Sequence, residues 1–120
     1  MASLHELNKA IAAHGLWKLR LKNAIESGVL DVPLAVVQSD NACPFGQWIY
    51  GLTLTAEDKA SVQYAEVMSL HAEFHRIAGA VANHALSGQK LEAHRLLEDD
   101  FAKASVKLSA AMFEWKKISV

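Results

Sequence analysis

Apolar residues recur three and four positions apart along most of this chain, the spacing that places side chains on one face of an α-helix. The pattern predicts four helices, over about Ser3–Ser27, Ala42–Tyr50, Ala56–Leu86 and Lys90–Lys117. Segment 29–38 contains Pro33 and has too little periodicity for a confident helix, so we predict a loop there with room for a short turn. The chain therefore reads as all-α, a four-helix bundle with three long helices and one short helix that carries the cysteine.

Residues at the predicted helix ends support these boundaries. Thr55 with Asp58 three positions later has the spacing of a capping box at the start of the long helix. Ser39 or Asp40 is expected to cap the short helix, where Pro44 is tolerated because first-turn amides have no intrahelical acceptor. Glycines follow the last periodic residue of the first three helices, at Gly28, Gly51 and Gly88.

Length and composition narrow the class of protein. The chain has 120 residues, of which 52% are hydrophobic and 21% charged, so we predict one globular domain over residues 1–120. No apolar run approaches the roughly 20 residues that span a bilayer, and the N-terminus lacks a secretory signal pattern. A net charge of −1 without a basic cluster disfavours nucleic acid and anionic membranes as partners. We expect a cytoplasmic protein.

Two histidines lie one helical turn apart on the apolar face of the long predicted helix. His71 and His75 share this face with Val67, Phe74 and Ala78, so both should point into the core. A buried imidazole needs partners for both ring nitrogens, and each unpaired buried polar group costs roughly 1–3 kcal/mol. A bound metal ion would remove that cost. The alternative is a pair of core histidines satisfied by hydrogen bonds.

Two more candidate ligands lie on other predicted helices. His14 continues the apolar series of the first helix and precedes Lys18, whose apolar stem is expected on the same face. Cys43 falls in the first turn of the short helix, where free amides and the helix dipole favour the thiolate that binds metal. As the one cysteine, it cannot form an internal disulfide. Asp40 is a candidate partner for a ligating histidine, although a helix cap explains it equally well.

Three inward imidazoles and one thiolate make a tetrahedral donor set, formed by His14, Cys43, His71 and His75. This set suits Zn²⁺ better than oxygen-preferring Mg²⁺ or Ca²⁺, so zinc is the predicted cofactor, while Fe²⁺, Co²⁺ and Ni²⁺ share the donor preference. The other histidines fit the set less well. His5 and His84 lie about 180° around their helices from the inward histidines His14 and His75. If the last two helices run antiparallel, His94 lies more than about 10 Å along the helix axis from His71 and His75.

The motifs that carry these residues resemble the chemoreceptor zinc-binding domain family of bacterial signalling proteins. The resemblance rests on HGLWKLRL at 14–21, CPFGQWIY at 43–50 and HAEFHRIA at 71–78, and extends to FAKASVKL and Trp115 in the final helix. It implies a four-helix bundle, zinc bound by the same four residues, and a cytoplasmic homodimer. Family members occur alone or attached to chemoreceptor signalling regions and diguanylate cyclases.

Three function classes follow from a site of this kind. The first is a zinc-responsive regulatory domain, without enzymatic activity, in which Cys43 serves as a zinc- or redox-responsive switch. The second is a metal that only staples a small bundle. The third is a three-histidine zinc hydrolase, which would need a general base; the pair His71 and His75 brackets Glu73 one position away from its place in the HExxH motif. We favour the first.

Overall fold

A computed structural model describes residues 2–120, and all of its regular elements are helical. In chain order the elements are α1 Leu4–Gly15, α2 Trp17–Ser27, α3 Leu34–Gln38, α4 Pro44–Tyr50, α5 Ala56–Lys59, α6 Val62–Leu86, α7 Lys90–Leu96, a π-helical segment Leu97–Phe101, and α8 Ala102–Lys116. Helix α6 is the central element, because α2, α3, α7 and α8 all pack against it. The all-α prediction is confirmed. None of the helices in residues 2–120 is both long and apolar enough to cross a membrane.

The first predicted helix is divided at Leu16, where α1 ends and α2 begins. Gly15 lies at the junction, and glycine weakens a helix interior by about 1 kcal/mol relative to alanine. The predicted start at Ser3 and end at Gly28 are confirmed, since Ser3 caps α1 and Gly28 adopts φ 74°. Lys18 was wrongly assigned to the inward face. It is exposed and its ammonium lies 3.7 Å from the Glu98 carboxylate, which keeps the charge in solvent.

The segment predicted as a loop contains the five-residue helix α3. Pro33 precedes it, and the Pro33 carbonyl accepts hydrogen bonds from Val36 N and Val37 N. Val37 is completely buried. A helix this short spans little more than one turn, so its sequence cannot display the periodicity that identifies longer helices.

The short helix α4 begins two residues later than predicted, at Pro44. Its N-cap is Cys43, whose Sγ accepts a hydrogen bond from Gly46 N at 3.3 Å. The assignment of Ser39 or Asp40 as the cap, and of Cys43 to the first turn, is therefore wrong. Pro44 occupies the first turn and Gly51 ends the helix, as expected.

The predicted helix over 56–86 forms as two pieces. Thr55 and Asp58 make the expected reciprocal capping box, but it starts only the four-residue helix α5. After a break at Ala60, the Ser61 hydroxyl accepts from Tyr64 N at 3.1 Å and caps α6. A second capping residue therefore starts the long helix six residues downstream of the predicted start.

The last predicted helix forms as α7 and α8, with the π-helical segment Leu97–Phe101 between them. A π turn holds one residue more than the α-helical ladder requires, which changes the angular phase of the helix at that point. The helical spacing of Leu91 with Leu97 and Phe101 in the sequence predicts an inward position for Leu91, but the residue is 66% exposed, because it lies in the first turn of α7 beside the Gly88 turn. From Leu97 onward the predicted apolar face is buried.

The two ends of the described chain meet in space. Leu4 N donates to Val120 O at 2.8 Å, and Val120 N donates to Ala2 O at 3.0 Å. Trp115, near the end of α8, is almost completely buried. The residues that follow α8 are therefore fastened to the start of α1.

Candidate metal centre

Helix α6 places His71 and His75 on successive turns of its buried face. Both side chains are completely buried, and their ring centroids lie 4.6 Å apart. The apolar face predicted around them is confirmed, with Val67, Phe74 and Ala78 also fully buried. The helix thus presents two imidazoles to one point in the core.

Helix α1 adds a third imidazole from the opposite side. His14 is 5% exposed, and its Nε2 lies 3.1 Å from Nε2 of His71. Leu7 and Leu21 are fully buried on the same side of α1 and α2, as the sequence pattern predicts. Two ring nitrogens at this distance compete for one proton or share one ion.

The loop that ends at the α4 N-cap brings Cys43 to the histidines. Its Sγ lies 3.5 Å from Nε2 of His71 and 3.6 Å from Nε2 of His75. One ligand atom from each of His14, Cys43, His71 and His75 lies within 4.8 Å of the other three. The structure therefore brings together all four residues that the sequence singled out.

These separations fit a single tetrahedral ion. With Zn–N bonds of about 2.0 Å and Zn–S bonds of about 2.3 Å, tetrahedral angles put two nitrogens about 3.3 Å apart and a nitrogen and a sulfur about 3.5 Å apart. In the structure, Nε2 of His14 lies 3.1 Å from Nε2 of His71. The sulfur of Cys43 lies 3.5 Å from Nε2 of His71 and 3.6 Å from Nε2 of His75. The donor set is suited to a zinc ion in both chemistry and spacing.

Backbone carbonyls orient two of the three imidazoles. Nδ1 of His14 lies 2.8 Å from the Ala10 carbonyl oxygen, and Nδ1 of His75 lies 3.0 Å from the Val37 carbonyl oxygen. A carbonyl only accepts, so both rings carry their proton on Nδ1 and turn the Nε2 lone pair toward the cluster. This tautomer is assigned from the hydrogen bonds and is the one that binds metal through Nε2.

His71 differs from the other two histidines. Its Nδ1 is buried and has no hydrogen-bond partner among residues 2–120, and the same holds for Nε1 of Trp48. Phe45 lies between these two rings, 5.0 Å from the His71 centroid and 5.6 Å from that of Trp48. The backbone therefore fixes the proton position of His14 and His75 but not that of His71.

Asp40, a candidate partner for a ligating histidine, makes a different contact. Its Oδ2 accepts a hydrogen bond from the Tyr50 hydroxyl at 2.5 Å. That hydrogen bond to the carboxylate raises the pKa of Tyr50 to about 12. The outer nitrogens of His14 and His75 use backbone carbonyls instead, for which the sequence carries no residue-specific signal.

Burial keeps the imidazoles neutral. It lowers the pKa of His71 to about 2, with a further contribution from the neighbouring His14 and His75. It also lowers the pKa of His14 to about 4, against the opposing effect of the hydrogen bond to Ala10. The pKa of His75 is lowered for the same reason. Because a metal binds the neutral form, the three nitrogens need lose no proton at pH 7.

The pKa of the Cys43 thiol is shifted in the direction opposite to the one expected for a cysteine at a helix start. Burial raises the pKa of Cys43, and the hydrogen bond from Gly46 N offsets this only in part. Helix α4 alone therefore does not produce a thiolate. A bound metal ion would supply the missing stabilisation, since a coordinating thiol is deprotonated by the charge of the ion.

Aromatic side chains enclose the cluster. Phe74 lies edge-on to His14 and His75, at centroid distances of 5.2 and 5.5 Å, and Trp17 lies 6.1 Å from His75. Phe74 is itself packed 5.0 Å from Phe101 in the π-helical segment. The site is therefore walled by rings that exclude water on the core side.

On its outer side the cluster meets a groove of about 210 Å³. His14 and Cys43 line it together with Trp17 and Phe45, and Lys9 and Arg20 stand at its rim. Cys43, a partly buried residue, therefore lies beside this groove.

The remaining histidines do not join the cluster within residues 2–120. His5 is exposed, and His84 Nδ1 bonds to the side-chain oxygen of Gln89 at 2.6 Å. His94 is half-buried in α7. Glu73, the residue closest to an HExxH arrangement, points its carboxylate at Arg76, with oxygen–nitrogen distances of 2.6 and 2.8 Å.

A helical bundle whose core gathers three imidazoles and one thiol within 4.8 Å is a metal-binding helical domain. The chain belongs to the chemoreceptor zinc-binding domain family, whose model matches residues 14–82. That match begins at His14 and contains Cys43, His71 and His75, so the resemblance drawn from the three motifs is confirmed. No curated protein and no solved structure matches the chain.

Proposed function

We propose that this chain is a zinc-responsive regulatory domain that binds one zinc ion through His14, Cys43, His71 and His75. The observation that carries the proposal is the convergence of the four donor atoms within 4.8 Å of one another, with separations of 3.1, 3.5 and 3.6 Å for three of the pairs. Family membership supports a role in signal transduction. We further propose that the domain works in the bacterial cytoplasm, as a homodimer, and controls a chemotaxis or cyclic-di-GMP output.

The three proposed histidine ligands are fixed more firmly than Cys43, and this difference would allow Cys43 to act as a switch. The histidines stand on helices and are at most 5% exposed, and two of them are anchored by backbone carbonyls. Cys43 stands at the end of a loop, and the residue is only partly buried. A ligand shifts a two-state equilibrium only if it binds the two states differently. Release of Cys43 supplies such a difference, because it leaves three nitrogen donors.

The groove beside Cys43 supports a redox response of the same residue. Cys43 lines the groove, so an oxidant that enters the groove would meet this residue without opening the core. Two-electron oxidation of the thiolate to a sulfenic acid by a peroxide would remove the one anionic donor from the set, and reduction by thiols would restore it. The same site can therefore report zinc, oxidant or both.

Dimerisation and an output partner would use the outer faces of the helices. Large apolar side chains stand exposed on α8, with Val106 at 70% and Phe113 at 50%. Leu19 of α2 is likewise 58% exposed. These surfaces support the proposed homodimer, and its test is the molar mass in solution.

A structural staple is the second candidate, since the site lies in the core and joins α1, α4 and α6. A catalytic site is less well supported, because Glu73, the residue closest to an HExxH arrangement, is turned to Arg76 and the Asp40 carboxylate accepts a hydrogen bond from Tyr50. We therefore infer that the domain is not an enzyme.

Zinc competition titration tests the ligand assignment. We expect one zinc per chain by native mass spectrometry, with affinity more than about 100-fold weaker in Cys43→Ala and His71→Ala, because removing a ligand costs more than removing its outer partner. His94→Ala is the matched control and should keep wild-type affinity. If the purified wild-type chain binds no zinc, or if Cys43→Ala binds as tightly, the assignment is wrong.

Chelation separates the regulatory role from the staple. We expect the metal-free chain to keep its helical circular dichroism while its oligomeric state or its binding to an output partner changes, measured by light scattering. Loss of the helical signal on chelation would favour the staple. Repeating the measurement after mild peroxide treatment, with Cys43→Ala as control, tests the redox response.

A further inference from the structure

The segment from Val37 to Cys43 serves the metal centre at both of its ends. At one end the Val37 carbonyl accepts the Nδ1 proton of His75 at 3.0 Å. At the other end Cys43 presents its sulfur to His71 and His75. A shift of this segment, hereafter the 37–43 segment, would therefore disturb two of the four proposed ligands together.

Gly79 of α6 lies directly under one end of the 37–43 segment. It follows His75 by one helical turn on the same buried face. A Cβ atom at position 79 would stand 2.5 Å from Cγ of Gln38 and 3.2 Å from both Cα and Cβ of Gln38. A side chain at position 79 would therefore displace the side chain of Gln38, and the tight 3.2 Å contact with Cα of Gln38 would press α3 away from α6.

Gly46 of α4 packs against the middle of the 37–43 segment. A Cβ atom at position 46 would stand 1.9 Å from the carbonyl oxygen of Asp40 and 2.9 Å from Cα of Asn41. These neighbours are backbone atoms, which cannot rotate aside as a side chain can. Gly46 also donates its N–H to the Cys43 sulfur.

The backbone conformation does not explain either glycine. Among residues 2–120 only Gly28 and Gly88 have positive φ, so positions 46 and 79 are open to any residue by conformation. Glycine inside a helix costs about 1 kcal/mol relative to alanine. What both positions require is space, and in both cases the 37–43 segment occupies that space.

We propose that Gly79 and Gly46 are positioning residues of the zinc centre, which act by seating the 37–43 segment so that Val37 orients His75 and Cys43 reaches the site. This inference rests on the proposed function, in which Cys43 and His75 bind zinc. It adds that the orientation of His75 and the reach of Cys43 depend on one piece of chain.

Alanine substitutions at the glycines test the proposal. We expect Gly79→Ala to weaken zinc affinity at least about tenfold, the range measured when an outer partner of a ligating histidine is lost. Gly46→Ala should weaken it more, because its clash is with backbone. Gly15→Ala is the matched control, since a Cβ at position 15 meets nothing within 4 Å although it adjoins His14.

The tautomer of His75 gives a readout that needs no zinc. In the metal-free wild-type chain, ¹⁵N NMR should find the His75 proton on Nδ1, and in Gly79→Ala this preference should be lost while circular dichroism stays helical. The double variant Gly79→Ala with Gln38→Ala removes the 2.5 Å contact and should recover part of the preference and of the affinity. Gln38→Ala should not rescue Gly46→Ala, because a Cβ at position 46 would meet backbone atoms of Asp40 and Asn41.

The outcomes are separable. If Gly79→Ala keeps zinc affinity within about twofold of wild type and leaves the His75 tautomer unchanged, the positioning role is overturned. If wild type binds no zinc but the tautomer still responds to Gly79→Ala, the proposed function fails while the seating of the 37–43 segment on His75 stands. If both glycine variants lose affinity no more than Gly15→Ala, the segment does not position the ligands.

Discussion

The sulfur of Cys43 lies 3.5 Å from Nε2 of His71, across a sequence separation of 28 residues. This contact joins a loop end to the middle of the longest helix, and it pairs a thiol whose pKa is raised with an imidazole whose pKa is lowered. Both shifts have the same cause, since burial disfavours whichever form is charged. In the metal-free chain the pair is therefore neutral at pH 7.

Zinc binding should release one proton, and that proton should come from Cys43. The histidine nitrogens are already neutral, whereas the thiol must ionise to bind. We expect zinc affinity to rise about tenfold per pH unit between about pH 6 and 8. Isothermal titration calorimetry in buffers of different ionisation enthalpy measures the proton count. Cys43→Ala should release none, and a count of two or more in wild type would mean that a histidine is charged before binding.

The metal-free chain should lose stability as the pH falls below 6.5. Burial holds the folded pKa of His14 at about 4, so between these values the unfolded chain binds a proton that the folded chain does not. Each pH unit in this window lowers the free energy of unfolding by up to about 1.4 kcal/mol for this group. The loss for His14 amounts to about 3 kcal/mol at pH 4, and His71 adds to it in the same direction.

Urea unfolding of the metal-free chain at several pH values measures this loss. His14→Gln should reduce the slope between pH 6.5 and 4, whereas His5→Gln, at an exposed position, should leave it as in wild type. An equal slope in wild type and His14→Gln would show that His14 is not held neutral.

Phe74 should matter for both the fold and the metal site. It is completely buried between His14, His75 and Phe101, so Phe74→Ala leaves a cavity and should cost about 3–5 kcal/mol of unfolding free energy. Zinc affinity should fall as well, because the ring helps fix two imidazoles. Phe113→Ala, at a residue 50% exposed, should change stability by less than about 1 kcal/mol. Equal losses in the two variants would contradict the packing described for Phe74.

The π-helical segment should tolerate a deletion that the following helix does not. Removing Asp100 takes out the extra residue of the π turn and restores α-helical spacing without turning the flanking helices against each other. Removing Lys107 from α8 rotates every later residue by about 100° and exposes Met112 and Trp115. Thermal unfolding should show a small change for the first deletion and a large loss for the second. A comparable loss for both would mean that the π turn is required.

Three of the four members of the cluster were predictable because they lie at positions that helix periodicity fixes, whereas Cys43 lies at the N-cap of α4, at the end of a loop. His71 and His75 sit one turn apart in α6, a helix long enough for its buried face to be read from the sequence. His14 follows the same rule in α1. The angular argument against His5 and His84 also agrees with the structure, since neither joins the cluster within residues 2–120.

What could not be predicted depends on short elements and on the backbone. The carbonyls of Ala10 and Val37 bind their histidines whatever side chains those residues carry, so the sequence holds no signal for them. Helix α3 is too short to show a period. Gly79 did carry a signal, because a glycine within a long helical pattern marks a close approach of another chain segment. The single-domain extent over residues 1–120 stays a prediction.

The hydrogen bonds between Ala2, Leu4 and Val120 bring the first and last turns of the bundle to one place. A short linker from residue 120 to residue 2 would close the chain into a ring, and the ring could be reopened at the exposed Gly88 turn between α6 and α7. Such a circular permutant would retain every helix that carries a proposed ligand. It would also move the chain ends to the turn between α6 and α7, so that a reporter protein could be attached at that turn.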